Sequence, residues 1–163
     1  IVFSHEDMFL YDEIDLSQFQ AFVNLVYSNK VDFIKLLRGG YTDEKIDSGI
    51  HPHLLKCPTD MIFTIQPTIC KVKNLLTMYK ETPGDSIWSF ESATGSTAKW
   101  HCFSGCMVYK EGDPKRGMHH WDSSIYPYFA TAVVKGKWYT SDYSHLREVL
   151  QDYNIDVSLR GEV

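Results

Sequence analysis

Residues 126–153 read YPYFATAVVKGKWYTSDYSHLREVLQDY. Ala130–Val134 is short, β-branched and apolar. Lys135-Gly136 can close a two-residue turn, with glycine supplying the positive φ that such a hairpin requires. Lys137–Asp142 returns with Trp138 and Tyr139 and ends on a carboxylate. Alternation sends Thr131 and Val133 to one face and Ala130, Ala132 and Val134 to the other; Trp138, Thr140 and Asp142 share a face on the returning strand. Ser144 can then cap a helix with Leu146, Val149, Leu150 and Tyr153 on one side. If this hairpin lies in the core sheet, Trp138 or Tyr139 must be buried.

Working outward, Asp15 is an N-cap for a helix from Leu16 to about Ser28, with Leu16, Phe19, Phe22, Val23, Val26 and Tyr27 on one face. Val31–Arg38 reads as a second helical segment stopped by Gly39-Gly40, and Thr42 as the cap of a short third helix through Ile46. Leu36-Leu37-Arg38-Gly39-Gly40 also resembles a ubiquitin-type tail, set against a plain glycine-terminated helix. His51-Pro52-His53 to Cys57-Pro58 reads as a loop and Met61–Gln66 as a strand. Thr68 can cap a helix from Ile69 to about Lys80, closed by Thr82-Pro83-Gly84-Asp85. Ile87–Phe90 reads as a short strand, Ser92–Ala98 (SATGSTA) as a loop, Trp100–Tyr109 as a strand and Glu111–Gly117 as a charged turn. Met118–Tyr128 is irregular and aromatic-rich. Helices first and strands joined by tight turns afterwards give α+β, with N-terminal helices packed on one side of an antiparallel sheet.

At 163 residues, with 44% apolar and 14% aromatic content, one folded domain spanning 1–163 is the expectation. The net charge of −5 and the lack of a Lys/Arg stripe argue against nucleic acid. No stretch is apolar for the length of a membrane span, and no signal-peptide pattern is present. The chain opens on Ile1, which suggests a piece excised from a longer intracellular protein. Cys57, Cys70, Cys102 and Cys106 are read as free thiols of a reducing compartment, against two disulfides.

Phe129–Val134 and Gly136–Ser144 match, in order and spacing, two closing strands of ubiquitin-specific proteases, of the "GHYTAYV" and "GKWYKFDDS" kind. Trp100–Tyr109 and Cys57–Gln66 look like the strands before them. The chain thus resembles papain-like cysteine proteases of the ubiquitin-specific and coronavirus types. The resemblance implies a papain-like palm and a protein partner, with a ubiquitin-like protein one candidate. Phe129 stands where that family places its histidine, and no "GNTCYLN" box is present. In this register the domain is a protease-like scaffold without a thiolate and a base. It would be a non-catalytic binding module, offering Trp121, Tyr126, Tyr128 and Phe129 to its partner; aromatic side chains dominate interface energetics.

A second register keeps an active site. Cys70, in the first turn of the helix expected from Ile69, would be the nucleophile, His120 the base and Asp142 the orienting acid of a thiol protease, set against Cys70 as an inert core thiol. A third reading gathers His51, His53, Cys57, Cys102 and Cys106 into a zinc-stabilised structural domain, against a loop histidine pair with buried thiols. Cys102 and Cys106 lie about 13 Å apart if extended and could share one ion, or a disulfide, only across a turn at Ser104-Gly105. The leading expectation is the non-catalytic module, with no cofactor and no bound metal. Under the protease reading, Cys70 alone among the four thiols should react quickly with iodoacetamide at neutral pH.

Overall fold

A computed structural model describes residues 1–40, 43–116 and 120–163. The helix cap expected at Thr42, and Gly117, Met118 and His119 of the charged and aromatic stretches, lie outside the described residues. In chain order the elements are β1 (Val2–Phe3), α1 (Leu16–Tyr27), β2 (Phe33–Lys35), β3 (Leu54–Lys56), β4 (Thr68–Cys70), α2 (Val72–Glu81), α3 (Ile87–Trp100) and β5 (Gly105–Val108). After these come β6 (Lys115–Arg116), β7 (His120–Trp121), β8 (Val133–Val134), β9 (Lys137–Trp138) and α4 (Leu146–Asp152). The fold is mixed α+β.

The five-stranded main sheet has the order β1-β4-β2-β5-β3. Its pairs are antiparallel except β2 with β5, which run parallel with Phe33 opposite Gly105 and Lys35 opposite Met107. The expected antiparallel sheet is therefore a mixed one. Helices cover both of its faces, where one had been expected. Ile34, Leu36, Leu54, Ile69, Cys106 and Val108 pack with Phe22 and Val26 of α1. Phe33, Leu55, Cys70 and Met107 pack with Met78 of α2 and Phe90 and Ala98 of α3. Strand alternation is what splits β2 and β4 between the two layers.

Asp15 caps α1 as its sequence promises, its carboxylate accepting from the N–H groups of Ser17 and Gln18. The second helix expected over Val31–Arg38 is instead the central strand β2 and its exit. Val31–Arg38 mixes apolar residues with Asp32, Lys35 and Arg38, a pattern that does not separate helix from strand, and here two flanking strands take its backbone groups. The supposed loop before Cys57 contains β3, while Met61–Gln66 forms no strand. There Ile62, Phe63 and Ile65 plug the core under α3, and the Ile65 N–H donates to Glu91 Oε1 at 2.6 Å. Thr68–Cys70 is strand β4, so the helix starts three residues later than expected, at Val72.

The largest departure is α3, read as a strand and a loop. Ser86 and Ser89 close a capping box at its start. Its small residues serve close approach: Thr94 Oγ1 donates to the Phe63 carbonyl at 2.9 Å, and Thr97 and Thr82 share a buried hydroxyl bond of 2.9 Å. A Cβ added at Gly95 would lie 2.7 Å from Asp60 Cα, in the single helical turn Thr59–Met61.

The hairpin forms across Lys135-Gly136, both at positive φ (49° and 79°), pairing Val133 with Trp138. It is shorter than expected and stands apart from the main sheet as a two-stranded ribbon. Trp138, 7% exposed, joins Phe129, Ala132, Tyr143, Leu146 and Leu150 in a core of its own, closed by Phe9 and Tyr11. Leu146 and Leu150 are the buried face of α4, while Tyr153 is exposed.

Two stability measurements check this packing. Gly95→Ala should lower stability by about 1–3 kcal/mol in urea unfolding, although alanine is the better helix former, because the Asp60 backbone cannot give way. Trp138→Ala should cost about 3–5 kcal/mol and expose the C-terminal core.

Candidate functional site

Arg38 lies just beyond β2, where the chain leaves the sheet. Its carbonyl accepts the Trp121 N–H at 2.9 Å, and Gly39 bridges His120, so β7 is fastened to this exit. The same pairing stacks the side chains: the guanidinium carbon lies 3.8 Å from the Trp121 ring centroid. Arg38 is only 5% exposed. Its Nη2 donates to the Asp43 carbonyl at 2.5 Å, and its Nε is buried without a hydrogen-bond partner among the described residues. Placed in the sheet exit, Leu36, Leu37 and Arg38 are all buried, which removes them from the role of an accessible ubiquitin-type tail.

Arg38 and Trp121 line a cleft of about 260 Å³ together with Asp43, Lys45, Tyr109, Glu111, Asp113 and Lys115. Lys115 Nζ sits 4.8 Å from the Trp121 ring centroid and bonds Asp43 Oδ1 at 2.7 Å. That bond holds the Asp43 carboxyl below its usual range. Lys45 lies 4.7 Å from the Tyr109 ring centroid and bonds the Tyr109 hydroxyl at 2.7 Å. The Tyr109 hydroxyl in turn donates to Glu111, which with Lys45 keeps that carboxyl low. Asp122 is held by Arg116, whose Nη2 approaches to 2.6 Å and whose Nε adds a second contact. Lys110 completes the charged lining, and Asp113 accepts from the Ser124 hydroxyl at 2.6 Å, so paired and unpaired surface charges surround one buried cation, Arg38.

The residues read from the sequence as a catalytic set are dispersed among other duties. Cys70 is 1% exposed in the core between the sheet and α2, and burial pushes its thiol up to about 11. That is the reverse of nucleophile activation, and on β4 the residue lacks the first-turn position that would have lowered it. His120 Nε2 meets the Tyr143 hydroxyl at 2.8 Å, and the Asp142 carboxylate accepts from the Tyr139 hydroxyl at 2.8 Å.

Of the aromatic set expected to face a partner, Phe129 and Tyr128 are 0% and 3% exposed, and Tyr126 is half-buried, stacked on Phe19. They are core residues, and a partner could not reach the first two without unfolding them. Trp121 alone lines the cleft. Cys57 and Cys106 are buried neighbours, both raised by burial, with Cys106 at about 12, and Cys102 is exposed. All four cysteines are free thiols. No group of three or more His, Cys, Asp or Glu is placed to hold a metal ion among the described residues. There, too, no helix is long and apolar enough to cross a membrane.

Sequence reasoning missed Arg38. The signal in the sequence is an arginine closing a segment of strand length, with two glycines after it, at the point where the helix expectation ends. No protein-family model matches this chain, and no curated protein or solved structure matches it either.

Behind the cleft, buried phenols give the structure an alkaline limit. Burial, and after it the Asp122 charge, pushes Tyr11 up to about 12, and burial raises Tyr128 and Tyr143 as well. The folded chain keeps these protons where the unfolded chain loses them, from about pH 10 upward. Their contribution is complete below that pH and should be lost as pH rises through 10 towards 12. Urea midpoints measured across this range should fall as tyrosinate absorbance at 295 nm appears.

Proposed function

We propose that this chain is a non-catalytic protein-binding module that takes its partner at the Arg38–Trp121 cleft. The observation that carries the reading is the buried arginine, stacked on Trp121 with its Nε unsatisfied, in the lining of an open cleft. A buried guanidinium without a carboxylate costs stability in the free chain, and an anion brought against the part of Arg38 that lines the cleft recovers some of that cost on binding. The chemistry of the thiols supports a binding role over catalysis. The Cys70 thiol is raised by burial, so its reactive thiolate is scarce at neutral pH.

The scaffold is proposed to be a degenerate relative of the papain-like, deubiquitinase-like palm. Support comes from the order and spacing of Phe129–Val134 and Gly136–Ser144, and from the turn at Lys135-Gly136 that joins them. Phe129, in the position of that family's histidine, packs against Tyr11, Tyr143 and His145 and has taken a structural role. A ubiquitin-like protein remains the partner that this resemblance suggests.

Iodoacetamide labelling at neutral pH, with peptide mapping, tests the non-catalytic reading. Cys102 should label first, and Cys57, Cys70 and Cys106 only after unfolding. Labelling of Cys70 in the folded chain faster than Cys102 would restore the thiol-protease reading with Cys70, His120 and Asp142.

A further inference from the structure

The geometry points to a single carboxylate, carried by an acidic segment of a protein partner, as the group the cleft receives; this rests on the binding-module reading above. Lys115 is matched by Asp43 at 2.7 Å, Lys45 by Glu111 at 3.4 Å, and Asp122 by Arg116 at 2.6 Å. Arg38 has no carboxylate within ion-pair distance among the described residues; its one described acceptor is the neutral Asp43 carbonyl. A guanidinium removed from water without a counter-ion is costly, and the quadrupole of the Trp121 ring offsets only part of that cost. Arg38 is therefore the buried cation of the cleft that lacks a carboxylate; Lys110, which also lines it, is exposed to solvent.

Its chemistry is narrowed by the walls. A guanidinium presents planar N–H donors suited to a carboxylate or a phosphate. Four acidic side chains, Asp43, Glu111, Asp113 and Asp122, line the same cleft. The Asp43, Glu111 and Asp122 carboxylates already occupy Lys115, Lys45 and Arg116, so a dianionic phosphate would bring a second charge against these acids with only the exposed, solvent-screened Lys110 to meet it. A monoanion satisfies Arg38 and adds no excess. Size narrows it again. At about 260 Å³ the cleft is below the range that encloses a whole cofactor or metabolite, roughly 300–1,000 Å³. It accommodates an acidic side chain delivered from outside, with the Tyr109 and Trp121 rings as flanking surfaces.

The test tracks the Trp121 indole N–H in two-dimensional NMR spectra of the whole chain, assigned with Trp121→Phe. The probes are the end-capped peptides acetyl-(Gly-Glu)3-amide and acetyl-(Gly-Gln)3-amide, glutarate and inorganic phosphate. The Glu peptide should shift Trp121 saturably and bind about tenfold or more tightly than the Gln peptide. Arg38→Met should weaken the Glu peptide by a similar factor, while Lys137→Met, on the hairpin, should leave it unchanged. Equal binding of the Glu and Gln peptides to the unaltered chain overturns the inference even if Arg38→Met fails to fold. So does phosphate binding more tightly than the Glu peptide, glutarate matching it, or no shift with any probe. A saturable shift indifferent to charge would leave a binding module without a carboxylate site. Fast labelling of Cys70, read at a different residue, would instead remove the module reading itself.

Discussion

The pairing of β2 with two neighbours of opposite direction is the constraint on which the remaining architecture depends. Phe33–Lys35 lies antiparallel to Thr68–Cys70 on one side and parallel to Gly105–Val108 on the other. A strand held on both edges has no free backbone groups, so it can be buried on both faces. Phe33 and Ile34, each 0% exposed, then root two separate cores, one under α2 and α3 and one under α1. The parallel pair also requires a long crossover, which runs through β3, β4, α2 and α3 before β5 returns to the strand's side.

That buried strand also explains the cleft. The chain leaving β2 stays buried through Leu36 and Leu37, and Arg38 is the first charged side chain beyond them. The backbone bond from Trp121 to the Arg38 carbonyl fixes the register of β7, and that register places the indole against the guanidinium. The site is therefore carried by a sheet exit and a short ribbon, elements held by the core.

The C-terminal region is organised separately. Its hairpin and α4 form a small core with Phe9 and Tyr11, fastened by Phe129 N–H to the Phe9 carbonyl and Tyr11 N–H to the Pro127 carbonyl, at 2.9 and 3.0 Å. The aromatic density that reads in sequence as a binding surface is used here for packing. Tyr128, for example, is buried and reaches Gln66 Oε1 through its hydroxyl at 2.8 Å. Aromatic residues close together in sequence are equally suited to an interface and to a core, and only burial separates the two.

Where local chemistry is decisive, the sequence by itself determined the structure. The Asp15 cap starts α1, Lys135-Gly136 turns the hairpin, and Pro83-Gly84 separates α2 from α3. Each is a short-range effect, fixed by a side chain bonding its own backbone or by a permitted φ. The α+β class was legible for the same reason. The tertiary structure alone decided that Val31–Arg38 holds a strand and that SATGSTA lies in a helix, and it placed Cys70 on β4 in the core. A segment such as Val31–Arg38 fits either element until its backbone finds partners distant in sequence, and small residues favour a loop until a neighbouring backbone demands their closeness. Arg38 came to line the cleft for the same physical reason. Its burial, its stacking on Trp121 and its unsatisfied Nε depend on a contact across more than eighty residues, which no local pattern encodes.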